Sequence, residues 1–165
     1  MIALVDDPID VAAVVAAVSR PAAGGIAIFL GAVRDEAEGR PVTLLEYEAY
    51  RPMAIAELGR CVQEIEEAYK VVKLSVVHRL GALNVGDFAV ACAASAPHRT
   101  EALSACRALI DAIKARVPIW KREHGPEGAH WVGWRDARCD DHGHGHGHGH
   151  GHGHSHGAHT KEEGQ

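Results

Sequence analysis

Phe88-Ala89-Val90-Ala91-Cys92-Ala93-Ala94 runs through Ser95-Ala96-Pro97-His98-Arg99 into an apolar repeat at Leu103, Cys106, Ile110 and Ile113, and then into Lys114-Ala115-Arg116-Val117-Pro118-Ile119-Trp120-Lys121-Arg122-Glu123. The first seven residues form a short, continuous apolar run of strand length. Pro97 is suited to the first turn of a helix, where its missing N–H costs nothing. The spacing of three and four that follows gives that helix one apolar stripe. The helix ends before Pro118, because a residue preceding proline resists helical geometry. Strand, long helix and renewed strand at Ile119-Trp120 therefore succeed one another without a spacer.

The same alternation extends upstream. Val71 to His78 reads as a strand, joined to Phe88 through Asn84-Val85-Gly86-Asp87. A second long helix is predicted from about Pro52 to Tyr69, with Leu58, Cys61, Val62, Ile65 and Ala68 as its stripe. Val42 to Tyr50 is a strand placing Leu45, Tyr47 and Ala49 on one face and Leu44, Glu46 and Glu48 on the other. Asp35 to Pro41 reads as a polar loop, and Ile26 to Val33 as a buried strand. Asp7-Pro8 marks the start of a first helix, running to about Ser19 and stopped by Pro21-Ala22-Ala23-Gly24-Gly25. Downstream, Trp131-Val132-Gly133-Trp134 is a short strand piece. Several strands lie close enough in sequence to pair as antiparallel neighbours, so the expected class is mixed α+β.

The chain has 165 residues, the size of one ordinary domain. Composition breaks at Cys139-Asp140-Asp141-His142, dividing it into a domain over 1–139 and a tail over 140–165. Formal net charge is −5, but the domain is close to neutral, with 16 Lys and Arg against 18 Asp and Glu. That balance offers no general attraction for nucleic acid, so any anion site must be a local cluster. No run of 18 apolar residues is present to span a membrane. The N-terminus lacks the basic region of a secretory signal, which predicts a cytoplasmic protein. Cys61, Cys92, Cys106 and Cys139 are widely spaced, with no C-x-x-C pair. The first three sit in apolar segments and read as buried structural thiols.

Candidate chemistry starts with the cations. Lys114 and Lys121 flank Pro118, so the chain turns between them and both amines can face one pocket. Lysine becomes a usable base or nucleophile when desolvated or crowded by other cations, although a helix C-terminus also attracts lysine for its dipole alone. His98 and Arg99 stand at a helix start, where backbone N–H groups favour phosphate and an arginine adds a bidentate partner. Arg34 ends a strand three residues beyond Gly31. His78-Arg79 ends another strand and reads as structural. Glu46 and Glu48 share a face, but such a pair is more often salt-bridged than catalytic.

Five segments occur in order: Gly31-Ala32-Val33-Arg34, Leu45-Glu46-Tyr47-Glu48-Ala49-Tyr50, His78-Arg79-Leu80-Gly81, Ser95-Ala96-Pro97-His98-Arg99 and Pro118-Ile119-Trp120-Lys121-Arg122-Glu123. The set resembles the large, catalytic subunit of molybdopterin synthase over about residues 2 to 135. The resemblance implies an α/β-hammerhead fold with a mixed, largely antiparallel sheet and two long helices. It implies a homodimer with a small ubiquitin-like sulphur carrier at each end, a heterotetramer. The implied reaction moves two sulphurs from a thiocarboxylate on the carrier's C-terminal Gly-Gly to cyclic pyranopterin monophosphate, making the dithiolene of molybdopterin; no cofactor is required. Carried over residue by residue, it implies catalytic roles for Lys114 and Lys121 and substrate binding by Arg34, His98, Arg99, Arg122 and Glu123. Ala32 departs from the pattern, standing where some members have lysine.

The tail alternates histidine with Gly or Ser at His142, His144, His146, His148, His150, His152, His154 and His156. It has nothing apolar to bury, so it is expected to be disordered, and its imidazoles suit zinc, nickel or copper. Two competing functions follow: a metal-storage or metal-delivery protein working through the tail, and a non-catalytic adaptor for a ubiquitin-like partner.

Overall fold

A computed structural model describes residues 1–70 and 72–132. The tail histidines and Cys139 lie outside the described residues, as does the Gly133-Trp134 end of the last strand piece. The elements are β1 (Ile2–Val5), α1 (Val11–Ala16), β2 (Gly25–Ala32), β3 (Glu36–Ala37), β4 (Arg40–Pro41), β5 (Leu44–Ala49), α2 (Arg51–Tyr69), β6 (Lys73–Arg79), β7 (Gly81–Asn84), β8 (Phe88–Ala96), α3 (Arg99–Arg116), β9 (Ile119–Gly125) and β10 (Gly128–Val132). The fold is mixed α+β. No described helix is long and apolar enough to cross a membrane.

One four-stranded sheet has the order β1-β6-β8-β2, antiparallel except for the parallel β1–β6 pair. The central strand β8 is covered on both faces. Cys92, Ala94 and Ala96 share the main core with Leu58 of α2 and Leu109 of α3, whereas Ala91 and Ala93 cluster with Val14 of α1 and Val18 just beyond it. A strand sandwiched between helices has room for little beyond methyl-sized side chains, which explains its alanine-rich sequence. The second sheet, β10-β9-β5-β7, is wholly antiparallel. Arg116 ties α3 to α2, its guanidinium 2.8 Å from Glu57 and 3.0 Å from Glu64.

Several elements differ from the sequence expectation. The first helix starts at Asp10, whose side chain accepts a hydrogen bond from the Ala13 N–H at 3.0 Å, and not at Asp7-Pro8. The segment Ile26–Val33 is an edge strand, not a buried one: Ile26 and Ile28 are each 42% exposed, because only β8 pairs with β2. Leu103 is exposed, and the inward stripe of α3 runs through Ala102, Ala105, Cys106, Leu109, Ile110 and Ile113. Small alanines do the packing there because α3 lies close against β2 and β8. The polar loop contains the β3–β4 hairpin, turned by Glu38 and Gly39 with φ of 52° and 76°. Both central residues are left-handed, the geometry a two-residue hairpin demands. Strands β1 and β7 were not predicted. Their sequences are short, and pairing with β6 and β5 defines them.

Candidate active site

A cavity of about 490 Å³ opens where the end of β2, the inward face of β5 and β9, and the last turns of α3 meet. Strand alternation decides which side chains enter it. In β9, Lys121 lies opposite Tyr47 of β5, and Glu123 opposite Leu45; all four line the cavity. Arg122 lies between them and therefore faces the other way. Its guanidinium is 3.5 Å from Glu46 and sits 5.7 Å from the Trp131 ring centroid. Glu46 also takes the His124 ring nitrogen at 3.2 Å, so this carboxylate belongs to a salt-bridged outer face.

Lys114 reaches the cavity from the last turn of α3, and Arg34 from just beyond β2. Chain direction explains their convergence. Val117 leaves the helix in an extended conformation, with φ −75° and ψ 123°, and β9 then runs back along β5. The seven-residue step from Lys114 to Lys121 thus rounds one corner. Gly31 lines the cavity against Val90, where a Cβ would come within 2.7 Å of Val90 Cγ1.

Lys121 is braced from below. Its Nζ is 2.9 Å from Glu123 Oε1, and the glutamate side chain is only 4% exposed. Two cavity residues escaped the sequence reading of the site. Tyr47 and His78 stack edge-on with centroids 5.2 Å apart. Burial, with the Glu123 charge second, pushes the Tyr47 phenol up to about 12. Burial also brings His78 down to about 4, only partly opposed by its hydrogen bond to the Arg79 carbonyl. At 2.8 Å that carbonyl can only accept, so His78 Nδ1 carries a proton, and burial keeps the ring neutral. Alternation along Val42–Tyr50 was the signal available for Tyr47. His78 stood out in sequence only as half of a strand-end pair read as structural, and the structure puts it in the cavity wall.

The His98–Arg99 pair is at the far end of α3. His98 is the N-cap without a side-chain hydrogen bond, and the pair abuts the start of β2, where a Cβ on Gly25 would lie 3.4 Å from Arg99 Cα. Fifteen helical steps separate Arg99 from Lys114, roughly 22 Å of rise. Within one chain, then, Lys114, Lys121, Glu123 and Arg34 share a cavity, while His98, Arg99 and Arg122 stand outside it.

Comparison with known proteins agrees with this arrangement. Residues 4–116 match the family model described as MoaE protein. The chain is 50% identical over 130 residues to the molybdopterin synthase catalytic subunit 1 of Mycobacterium tuberculosis, covering 79% of this chain and 88% of that one. A crystal structure of molybdopterin synthase from Staphylococcus aureus superposes with a TM-score of 0.76 at 38% identity, covering 79% of this chain and 95% of that one. At 18% identity and TM-score 0.65, the fold also matches a chain from a solved complex of subunits 1 and 2 of the Helicobacter pylori molybdopterin-converting factor, over 81% of this chain and 91% of that one.

Proposed function

The chain belongs to the MoaE family, and on that premise we propose that it is the catalytic subunit of a molybdopterin synthase. It transfers sulphur from the C-terminal Gly-Gly thiocarboxylate of a small ubiquitin-like partner to cyclic pyranopterin monophosphate, forming the dithiolene. The observation that carries this reading is the meeting of Lys114, Lys121 and Arg34 around one cavity in a nearly neutral domain. A phosphorylated pterin needs such a local cationic cluster. Among the described residues the thiols are unsuited to donate sulphur: Cys61, Cys92 and Cys106 are buried, and burial raises all three above the usual thiol range. An external sulphur donor fits, and the Helicobacter pylori structure of the same fold was solved as a two-subunit complex.

In this reading Lys114 is the principal amine, moving a proton or taking the partner's acyl group as its bond to sulphur breaks. Lys121 stabilises charge beside it, and Arg34 holds the phosphate. Replacing Lys114 by Ala is expected to lower dithiolene formation ~10²–10³-fold, the usual loss for one charge-stabilising group, with folding intact. Turnover like the wild type's, assayed with a thiocarboxylated partner and cyclic pyranopterin monophosphate, rejects the role.

His98 and Arg99 join this site only from a second copy of the chain, and the open edge of β2 is where such a copy fits. An antiparallel, two-fold pairing of β2 with itself sets Gly25 of one copy opposite Ala32 of the other. The partner's helix start is thereby brought to the Arg34 end of the cavity, and the exposed Ile26 and Ile28 are covered. Mixing inactive Lys114→Ala and Arg99→Ala proteins then recovers about a quarter of wild-type activity, since half the dimers hold one intact site. Complementation no better than background defeats the shared site.

A further inference from the structure

His130 lies across from Glu123 on the neighbouring strand β10 and on the same face of the sheet. Its Nε2 is 3.3 Å from Glu123 Oε2, while Lys121 Nζ holds the other oxygen, Oε1, at 2.9 Å. One buried carboxylate therefore stands between two basic groups, Lys121 in the cavity lining and His130 on the neighbouring edge strand. The two contacts are unequal. The Lys121 bond is short. His130 Nε2 is shielded from solvent and close to the carboxylate, yet makes no aligned hydrogen bond. The rest of the imidazole is accessible, the side chain being 42% exposed.

That geometry has a consequence for charge. With the imidazole neutral, Glu123 has one full cation to satisfy and steers Lys121. With the imidazole protonated, a second cation claims the same carboxylate and turns toward Oε2. The hold on Lys121 weakens, and the amine gains a like charge two contacts away. Imidazole is the side chain whose charge changes between roughly pH 5 and 8. The other charged or titratable groups of the cavity are Tyr47 from β5, His78 from β6, Lys114 from α3, Arg34 from beyond β2 and Glu36 from β3. Arg122, His124 and Glu46 are on the opposite face.

We infer that His130 is a positioning residue for Lys121, acting through Glu123, and that its protonation releases the amine from its working position. The inference rests on the role given to Lys121 above and adds a control on it. Sulphur transfer by the complete complex accordingly falls several-fold as acid protonates His130, and the variant His130→Gln loses that acid limb whatever its plateau rate. A limb of equal depth and position in both proteins overturns the inference.

A second readout needs no turnover. In protein labelled at lysine Cε with carbon-13, the Lys121 signal (identified by its loss in Lys121→Arg) follows the His130 titration in the wild type and not in His130→Gln. A wild-type signal that passes through this range without a step also overturns the inference. If the complex makes no dithiolene at any pH, the synthase reading fails while the spectrum still tests the coupling. Circular dichroism checks that His130→Gln folds, and His130→Asn serves in its place if it does not.

Discussion

Strands β8 and β9 flank the same helix in sequence and could hardly differ more in use. From Ala89 to Ala96 every residue of β8 is buried, and none is charged. Helices cover both of its faces, so any polar group there would need a partner inside the core. Two of its neighbourhood's hydroxyls, on Ser75 and Ser95, already lack one. β9 has helix and cavity on one face and an ionic outer layer on the other, so charges alternate along it: Lys121 and Glu123 inward, Arg122 and His124 outward. A strand buried on both faces is scaffold. Chemistry is possible where one face borders a cavity that desolvates charges without abandoning them.

The largest test of that contrast compares adjacent residues of β9. Lys121→Ala should reduce dithiolene formation by ~10²-fold or more, whereas Arg122→Ala, in an exposed ion pair of small worth, should change folding stability by under ~1 kcal/mol. Equal losses of activity from both erase the distinction between the two faces, unless Arg122 serves a second copy's cavity, which recovery of activity on mixing Arg122→Ala with Lys114→Ala protein would reveal.

Next in size is the pH response of the buried ring between the two sheets. His78 ionises at about 4 in the folded chain against an ordinary value of 6.5. Between those values the unfolded chain binds a proton that the folded chain refuses, so acid favours unfolding. The His78 contribution is intact above pH ~6.5 and falls by up to ~1.4 kcal/mol per unit, to a loss of about 3 kcal/mol near pH 4. Denaturant midpoints measured across this range should show the slope in the wild type and a shallower one in His78→Phe. Identical slopes contradict a neutral, desolvated ring.

The smallest expected effect tests the scaffold itself. Ala93→Leu forces added volume against Val14 and Val18 beneath α1, at a cost of about 1–3 kcal/mol from overpacking. Sulphur transfer by the folded fraction should be unchanged, because Ala93 faces away from the cavity. A loss of activity beyond the loss of folded protein breaks the assignment of β8 to support beyond its cavity-lining Ala89 and Val90.

The long elements were legible because their periodicity is repeated. Leu58, Cys61, Val62 and Ile65 of the α2 stripe are buried as their spacing requires, while Ala68, assigned to the same stripe, is exposed in the last turn. The antiparallel character followed from short connections. Leu103 misled because size was weighed above phase: the helix turns Ala102 and Ala105 inward, and a large apolar residue one step out of phase stays in water. β1 was invisible because four residues beside a terminus carry no pattern until β6 lies next to them. For the site, the turn at Pro118 was enough to bring Lys114 and Lys121 together. It was not enough to sort Arg122 from Glu123, which needs the strand's phase relative to β5. The Lys121–Glu123–His130 chain depends on the β9–β10 register, which no single segment contains.

Sequence by itself therefore determined the class of fold and the corner that joins two lysines, since these depend on local geometry and repeated spacing. The tertiary structure alone decided which face of β9 meets the cavity, that Tyr47 and His78 line it, and that His98 and Arg99 stand about 22 Å of helix away from Lys114. The physical reason is that burial and proximity are properties of pairs of elements. They arise only when strands take their register and helices close over them.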